Sequence, residues 1–194
     1  MLFSDESYIY LNSGNPTYVR RPRLNNPLNL RTKYFSMALK YPVKIMIWGC
    51  FSSKGLGRLK VIEETMKSQD YLNVLEHKML PSARDLFGNE NFIYQDDSAP
   101  CHRSKAVKQW QESQNIEVLS WPGNSPDMNP IENLWAILKQ KVLKHQPKNK
   151  NELIFAILKV WRSEISEDLA KKLVSSMKSR IRALVENKGG VTKY

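Results

Sequence analysis

The sequence predicts one mixed α/β domain, and three features of the chain point to it. Short runs rich in β-branched and aromatic residues dominate the first third, and turn-forming stretches such as NSGNP separate them. Helix-like and strand-like segments then alternate, which implies crossover connections. From Pro130 onward the pattern is almost wholly helical. A chain of 194 residues with 41% hydrophobic content is long enough to bury one sizeable core.

The strand-like runs of the first third predict an antiparallel meander. They are MLFSDESYIYL, TYVRR, KIMIWGCF and GRLKVI. Between the second and third runs lies a loop over about residues 20–41, which carries prolines and scattered basic groups and is longer than ordinary hairpin connections. We expect this loop either to be functional or to be a solvated segment with no partner.

The elements that follow alternate between helix and strand. Apolar residues between Ser68 and Leu86 recur at helical spacing, and FIY at 92–94 then predicts a short buried strand. A helix over 103–113 follows, with Val107 and Trp110 inward, and then a strand in IEVLSW. The helix from Pro130 has an apolar stripe of Ile131, Leu134, Trp135, Leu138 and Val142. Two further amphipathic segments carry Leu153, Ile154, Ile157, Leu158 and Trp161, and then Leu169, Leu173, Met177, Ile181 and Leu184.

The charge of the chain favours a polyanionic partner. The formal net charge is +11, and basic residues cluster in VRRPRLNN, LKQKVLKHQPKNK and MKSRIR. Nucleic acid is the best candidate, although basic chains also carry charge for solubility alone. No run approaches the ~18 apolar residues of a membrane span, and no secretory leader is evident. The two cysteines are far apart without C-x-x-C spacing, so neither a disulfide framework nor a structural zinc site is indicated.

Acidic residues stand at three places where a strand or a helix terminus aims side chains at a cleft. Asp5 lies in the first strand, the pair Asp96 and Asp97 follows the strand FIYQ, and Glu132 opens the long helix. Three carboxylates that meet repel one another unless a divalent cation binds, and oxygen ligands suit Mg²⁺ or Mn²⁺. Two such ions promote the cleavage of a phosphodiester, which fits the basic charge.

Each of these residues also has an ordinary structural interpretation. Asp5 within SDES fits a surface strand or a turn. Glu132 fits a capping box, with Asn129 as the N-cap residue, Pro130 at the first helical position and Glu132 three residues after the cap. Glu132 also lies about 100° round the helix from Ile131, on the shoulder of the buried stripe, so both roles fit the same geometry.

Five stretches of the sequence carry a family resemblance. FSDES, IMIWGCF, YQDDSAPCHRS, LSWPGNSPDMNPIENLW and NKGGVTKY resemble, in this order, the catalytic domain of the mariner superfamily of cut-and-paste DDE transposases. The resemblance implies an RNase H-like fold with a mixed five-stranded sheet flanked by helices. It also implies that two Asp and one Glu hold a pair of Mg²⁺ or Mn²⁺ ions. Such enzymes cut transposon ends and join the 3′-hydroxyl to target DNA.

The family pattern also selects between the two adjacent aspartates. Its second catalytic Asp lies five residues before the His of the APCH segment, with 34 residues between it and the catalytic Glu. Counting from His102 gives Asp97, and Asp97 has 34 residues between it and Glu132. Neighbouring residues of a strand point to opposite faces, so one of the pair is expected at the metal. Asp5, Asp97 and Glu132 are therefore the predicted catalytic and metal-binding residues, whereas Asp96 stands where relatives usually have Gln.

The resemblance also suggests partners. The loop over about 20–41 corresponds to a segment that reaches toward a second subunit, so a homodimer is expected. The predicted DNA contacts are Arg20, Arg21, Arg23, Arg31, Lys33, His102 and Arg103. For His102 we favour a structural role near the site. Trp121, Pro122, Pro126 and Pro130 are expected to fix the loop before Glu132, and Asn133 to support the site. A nuclear location follows from a eukaryotic DNA substrate, and neither a membrane nor a small-molecule substrate is expected.

Three functional interpretations remain open at this stage. The leading one is a DNA-cutting and strand-joining catalytic domain. The second is a domesticated or degenerate transposase-derived module that binds DNA or protein without catalysis, because the helix-turn-helix modules of complete relatives are not found in this sequence. The third is a nuclease of RNA/DNA hybrids, which would use the same site.

Overall fold

A mixed β-sheet forms the centre of the protein. The structure is a computed structural model that describes residues 1–11, 43–63, 65–120, 125–190 and 192. The strands are β1 (Leu2–Tyr10), β2 (Lys44–Ser52), β3 (Gly55–Leu56), β4 (Lys60–Ile62), β5 (Ile93–Gln95) and β6 (Glu117–Val118). Their order across the sheet is β3, β2, β1, β5, β6, and β4 also pairs with β2.

The strand directions agree with the element order. The pairs formed by β1 with β2 and by β2 with β3 and β4 are antiparallel, which confirms the predicted antiparallel arrangement for the runs MLFSDESYIYL, KIMIWGCF and GRLKVI. The pairs β1–β5 and β5–β6 are parallel, so helices connect those strands. The described residues form six strands instead of five, because β3 and β4 pair with opposite ends of the same edge of β2.

Helices fill the remainder of the described chain. They are α1 (Ser68–Val74), α2 (Leu80–Phe87), α3 (Lys105–Ser113), α4 (Ile131–Lys144), α5 (Lys150–Lys159), α6 (Glu167–Ser175) and α7 (Met177–Glu186). A π-helical turn over Leu75–Met79 joins α1 to α2, and a second over Val160–Glu164 follows α5. Within the described ranges, no helix has the length and apolar character that a membrane span needs.

The helices cover both faces of the sheet and create two apolar cores. Phe3 and Ile9 of β1 pack with α4, α5 and α6 on one face. Leu2 packs with α1, α2 and α3 on the other. Side chains alternate along a strand, so Asp5 shares the α4 face with Phe3, whereas Glu6 shares the opposite face with Leu2. The neighbouring acidic side chains of Asp5 and Glu6 therefore lie on opposite faces of the sheet.

Two element predictions differ from the structure. In the stretch IEVLSW, of which residues 116–120 are described, the strand β6 has only two residues. The last amphipathic segment is divided at Ser176 into α6 and α7, and the break rotates the buried face. Ile181, predicted inward, is 51% exposed, whereas Arg180 beside it is 2% exposed. The run TYVRR and the loop over about 20–41 lie outside the described residues.

Gly49 allows α4 to approach the strand that carries Asp5. It pairs with Asp5 across β1 and β2, and a Cβ atom at this position would lie 2.8 Å from Cη2 of Trp135 in α4. We expect Gly49→Ala to lower the free energy of unfolding by about 1–3 kcal/mol, which corresponds to a fall in Tm of about 3–10 °C. Thermal denaturation measures this, and an unchanged Tm would show that α4 does not pack against Gly49.

Candidate active site

The predicted acidic residues lie at one edge formed by neighbouring strands. β1 and β5 are parallel, with Leu2 opposite Tyr94 and Phe3 opposite Gln95. Asp5 and Asp97 each follow the last of these pairs by two residues, Asp5 within β1 and Asp97 just beyond the end of β5. The strand pairing therefore brings two residues that are far apart in sequence to the same place.

The electrostatics of Asp5 show which charges surround it. The pKa of Asp5 is raised to about 8, mainly by burial and in addition by the carboxylates of Glu6 and Glu132. Asp97 makes a smaller contribution to this rise, and a backbone hydrogen bond from Glu6 opposes it. The three predicted residues thus lie close enough for Glu132 and Asp97 to disfavour the charged form of Asp5.

Asp97 is held in an ionised state at the end of β5. Its Oδ1 lies 2.8 Å from Nδ1 of His102 and accepts a hydrogen bond from the backbone N–H of Ala99 at 2.9 Å. Hydrogen bonding to His102 is the main reason why the pKa of Asp97 is lowered. The side chain is 46% exposed, so it remains open to a ligand.

Asp96 has a different environment from its neighbour. Its side chain is 1% exposed, and its Oδ1 lies 2.8 Å from Nη2 of Arg103. The same oxygen accepts the backbone N–H of Ser98 at 2.9 Å. Asp96 is buried against Arg103 whereas Asp97 is open, so only Asp97 of the pair is exposed to a ligand.

Glu132 does not form the capping box that its position suggested. The helix α4 begins at Ile131, with Pro130 at the N-cap position, one residue later than predicted. The backbone N–H of Asn129, which a capping box would direct to Glu132, instead donates to the carbonyl of Pro126 at 3.1 Å. Asn129 Oδ1 accepts the N–H of Ile131 at 3.3 Å. The side chain of Glu132 is consequently exposed and not engaged as a cap.

Asn129 also ties this helix terminus to β1. Its Nδ2 donates to the carbonyl of Ser4, the residue before Asp5, at 3.3 Å. Asn129 is 5% exposed, so the bond is sheltered from water. The start of α4, and with it Glu132, is thereby fixed against the strand that carries Asp5.

His102 lies between two carboxylates beneath the site. Its Nε2 lies 3.4 Å from Oε1 of Glu6, its Nδ1 faces Asp97, and its ring stacks on Tyr71 at 3.8 Å between centroids. Burial lowers the pKa of His102, but Asp97 and Glu6 raise it to about 10 overall. Because the ring is 2% exposed, the direct DNA contact predicted for it is closed in this conformation, and the structural role fits better.

The donor atoms of Glu6, Asp97 and His102 all lie within 4.8 Å of one another, which suggests a second way to hold a cation. An imidazolium, however, has no free lone pair for a metal and itself neutralises the two carboxylates. We therefore interpret this group as an ion-pair cluster, centred on the buried ring of His102, that fixes Asp97. Sequence reasoning missed Glu6 because its partner, His102, lies far along the chain. Glu6 itself lies on the opposite face of β1 from Asp5.

The other predicted contact residues are distributed unevenly. Arg103 borders the site through Asp96, and Asn133 accepts a hydrogen bond from Arg180. Arg20, Arg21, Arg23, Arg31 and Lys33 lie outside the described residues, as do Trp121 and Pro122. The charge of the basic cluster MKSRIR favours nucleic-acid binding, yet its Arg180 is buried.

Removal of the Asp5 charge is expected to stabilise the metal-free domain. With a folded pKa of about 8 against 3.8, the folded state binds more protons between these values, so stability falls as the pH rises through them. At pH 8.5 in chelator, we expect Asp5→Asn to raise the free energy of unfolding by roughly 2 kcal/mol and Tm by about 4–8 °C. Asp85→Asn, at an exposed ion pair with Arg58, is the control and should change Tm little. A lower Tm for Asp5→Asn would contradict this account.

With the geometry established, comparison with known proteins places the chain in a class. It belongs to a family described as DDE superfamily endonuclease, whose profile matches residues 1–154. Within this family the chain is a transposase catalytic domain, a DNA-cleaving enzyme. It is 32% identical over 197 residues to the Tcb2 transposase of Caenorhabditis briggsae and 33% identical over 195 residues to the Tc1 transposase of Caenorhabditis elegans. Each match covers 100% of this chain and 70% of the relative.

Solved structures confirm the fold. The crystal structure of the Mos1 mariner transposase catalytic domain matches 99% of this chain and 83% of its own chain, with a TM-score of 0.74 and 20% identity. The Mos1 paired-end complex with Mn matches with a TM-score of 0.79 and 18% identity, and here the chain spans 56% of the Mos1 chain. The RNase H-like fold with a mixed sheet flanked by helices, expected from the sequence resemblance, is therefore confirmed.

Proposed function

We propose that this domain cleaves DNA strands and transfers them to target DNA in a reaction that depends on Mg²⁺ or Mn²⁺. Asp5, Asp97 and Glu132 would hold the ions, and we propose two of them. The observation that carries the proposal is the convergence of these carboxylates from distant parts of the chain: β1 pairs with β5, and Asn129 ties the start of α4 to Ser4. The raised pKa of Asp5, to which Glu132 and Asp97 both contribute, agrees with this convergence. Carboxylates held together in this way without cations destabilise the fold, so their convergence favours a site that binds them.

The donor set fits such ions. Carboxylate oxygens are the ligands that Mg²⁺ and Mn²⁺ prefer. Asp97 makes both of its described contacts through Oδ1, so Oδ2 is left for a cation. Glu132 is exposed at the start of α4. Bound ions supply activation of a water or a 3′-hydroxyl and stabilisation of the leaving oxygen.

The residues around the ligands would keep them in place during this reaction. His102, backed by Glu6 and stacked on Tyr71, holds Oδ1 of Asp97 in one orientation. Asn129 fixes the start of α4 to β1 beside Asp5. Because catalysis by positioned metal ligands depends on sub-ångström geometry, these contacts would preorganise the site for an in-line displacement.

Solved relatives support the choice of cofactor and substrate. Mos1 transposase structures are described as paired-end complexes with Mn and with Mg, and a third is described as a strand transfer complex. These descriptions belong to Mos1. By analogy, we propose that this chain acts on transposon ends and target DNA as a homodimer in the nucleus. Deletion of residues 20–41, with dimer formation and DNA affinity measured separately, tests whether this loop contributes to dimer formation or to DNA binding.

Arg103 is the predicted DNA contact that the described residues support best. It borders an open cavity of about 330 Å³ together with Ser98, Lys108 and Ser120. Its Nη2 bonds Asp96 and Ser98, which orients the guanidinium at the cavity. We propose that a backbone phosphate of the DNA binds here, because a guanidinium pairs well with phosphate.

We expect Arg103→Met to weaken DNA binding and to reduce the slope of log K against log salt concentration by about 1. Fluorescence anisotropy in chelator at several salt concentrations measures this independently of cleavage. Arg84→Met, at an exposed position on α2, is the matched control. Equal slopes for the wild type and Arg103→Met would show that Arg103 makes no phosphate contact.

The experiment that tests the proposed function is a nicking assay on labelled DNA and on RNA/DNA hybrid, with Mg²⁺, Mn²⁺ or chelator. We expect metal-dependent nicking of DNA. Binding without cleavage under every metal condition would instead indicate a transposase-derived module without catalysis. Cleavage of the hybrid alone would indicate an RNase H-type nuclease.

A further inference from the structure

Arg180 is a buried arginine that reaches from the C-terminal helix to the segment that carries Glu132. It lies in α7 and is 2% exposed. Its Nη1 donates to the backbone carbonyl of Asp127 at 2.5 Å, and its Nη2 donates to Oδ1 of Asn133 at 2.5 Å. Its Nε donates to Oγ of Ser176 at 2.9 Å, which fixes the stem of the side chain. One side chain thus joins the turn before α4 to the first turn of α4.

The C-terminal segment makes a second contact with the same turn. Thr192 Oγ1 donates to Oδ2 of Asp127 at 2.9 Å, and Thr192 is 8% exposed. Asp127 lies in the 3₁₀ turn Pro126–Met128, immediately before Asn129. Arg180 and Thr192 both lie beyond residues 1–154, the range matched by the family profile. The segment outside that range therefore holds the residues that precede the catalytic helix.

Glu132 is consequently fixed from both sides, although its own carboxylate is exposed. On one side Asn129 bonds the carbonyl of Ser4 in β1. On the other side Asn133, the next residue after Glu132, bonds Arg180. A planar guanidinium with fixed donor directions sets the rotation of the first turn of α4 more strictly than apolar packing would.

We propose that Arg180 is a positioning residue for the catalytic site: by joining Asp127 to Asn133 it sets the orientation of Glu132 toward Asp5 and Asp97. This inference rests on the proposed metal-binding role of those three carboxylates. It assigns the C-terminal helix α7 a part in catalysis that packing alone would not require. A residue that orients a metal ligand typically changes metal affinity or activity by 10–100-fold when it is removed.

The test compares Arg180→Met with Arg182→Met, which changes an exposed arginine on the same helix. Mn²⁺ binding is measured without DNA by electron paramagnetic resonance, at a temperature at which circular dichroism shows each variant folded. We expect Arg180→Met to weaken Mn²⁺ binding about tenfold and Arg182→Met to leave it unchanged. Arg180→Lys, which keeps the charge and one donor direction, should give an intermediate affinity. Asn133→Ala removes the same bond from the α4 side and should weaken binding similarly.

A double-mutant cycle with Glu132→Gln separates positioning from general destabilisation. If Arg180 acts through Glu132, Arg180→Met should cause no further loss of Mn²⁺ affinity in the Glu132→Gln background. An equal tenfold loss in both backgrounds, or unchanged affinity for folded Arg180→Met, would overturn the inference while the proposed function stands. Absence of Mn²⁺ binding by the wild type would refute the proposed function itself, and the inference with it.

Discussion

Asp97→Asn is expected to reduce metal-dependent nicking of DNA by at least about 10³-fold, which corresponds to roughly 4 kcal/mol of lost transition-state stabilisation. The substitution removes the charge of the carboxylate that is held ionised by His102 and open to a ligand. An amide oxygen is a much weaker ligand for Mg²⁺ or Mn²⁺. Initial rates on labelled DNA at saturating Mn²⁺ measure the effect.

Asp96→Asn is the matched control at the neighbouring position. Its carboxylate is buried and paired with Arg103, so we expect nicking within about tenfold of the wild type. Stability should fall, by about 1–3 kcal/mol, because the guanidinium loses its charged partner in a buried site. The reverse result, with Asp96→Asn inactive and Asp97→Asn active, would show that the wrong aspartate has been assigned to the metal.

Glu132→Ala is expected to lower nicking by a similar factor, at least about 10³-fold, with little change in stability. The sequence left two roles open for this residue, and the structure removes one of them, because the N–H of Asn129 is already bonded to Pro126. Loss of the side chain should therefore change the free energy of unfolding by no more than about 0.5 kcal/mol. Parallel measurements of nicking rate and Tm test both halves of the expectation.

Glu152 is the control for Glu132, because it does take part in capping the start of its helix. In α5 the N-cap residue Asn149 accepts the N–H of Glu152 at 2.9 Å, and Glu152 accepts from the side chain of Asn149 at 2.7 Å and from the N–H of Lys148 at 2.8 Å. Glu152→Ala should cost about 1 kcal/mol and leave nicking unchanged. If Glu132→Ala instead behaved like Glu152→Ala, Glu132 would be a cap and not a ligand.

Much of the fold could be predicted from local patterns. Runs rich in β-branched and aromatic residues identified β1 and β2, and helical spacing identified α4 with its stripe from Ile131 to Val142. The strand in IEVLSW was predicted but not its two-residue extent, and the break at Ser176 was missed, because tertiary pairing and a local bond from Ser176 Oγ to Leu173 decide these features. Such features depend on contacts that no window of sequence contains.

The candidate site was predictable in its acidic residues but not in its supports. The spacing between Asp97 and Glu132 could be counted in the chain. The roles of Glu6 and Arg180 could not, because each depends on a partner far away in sequence, His102 for one and Asn133 for the other. Arg180 even lay in a cluster whose charge suggested DNA. A buried arginine and a surface arginine are the same letter in the sequence, and only packing separates them.

Anomalous X-ray scattering from crystals soaked in Mn²⁺ tests the central claim most directly, because it locates the ions without any assay of activity. We expect peaks that contact the carboxylates of Asp5, Asp97 and Glu132, with His102 outside the coordination sphere. Peaks held instead by Glu6 and His102, or the absence of any peak beside Asp5 at saturating Mn²⁺, would contradict the assignment of the catalytic carboxylates.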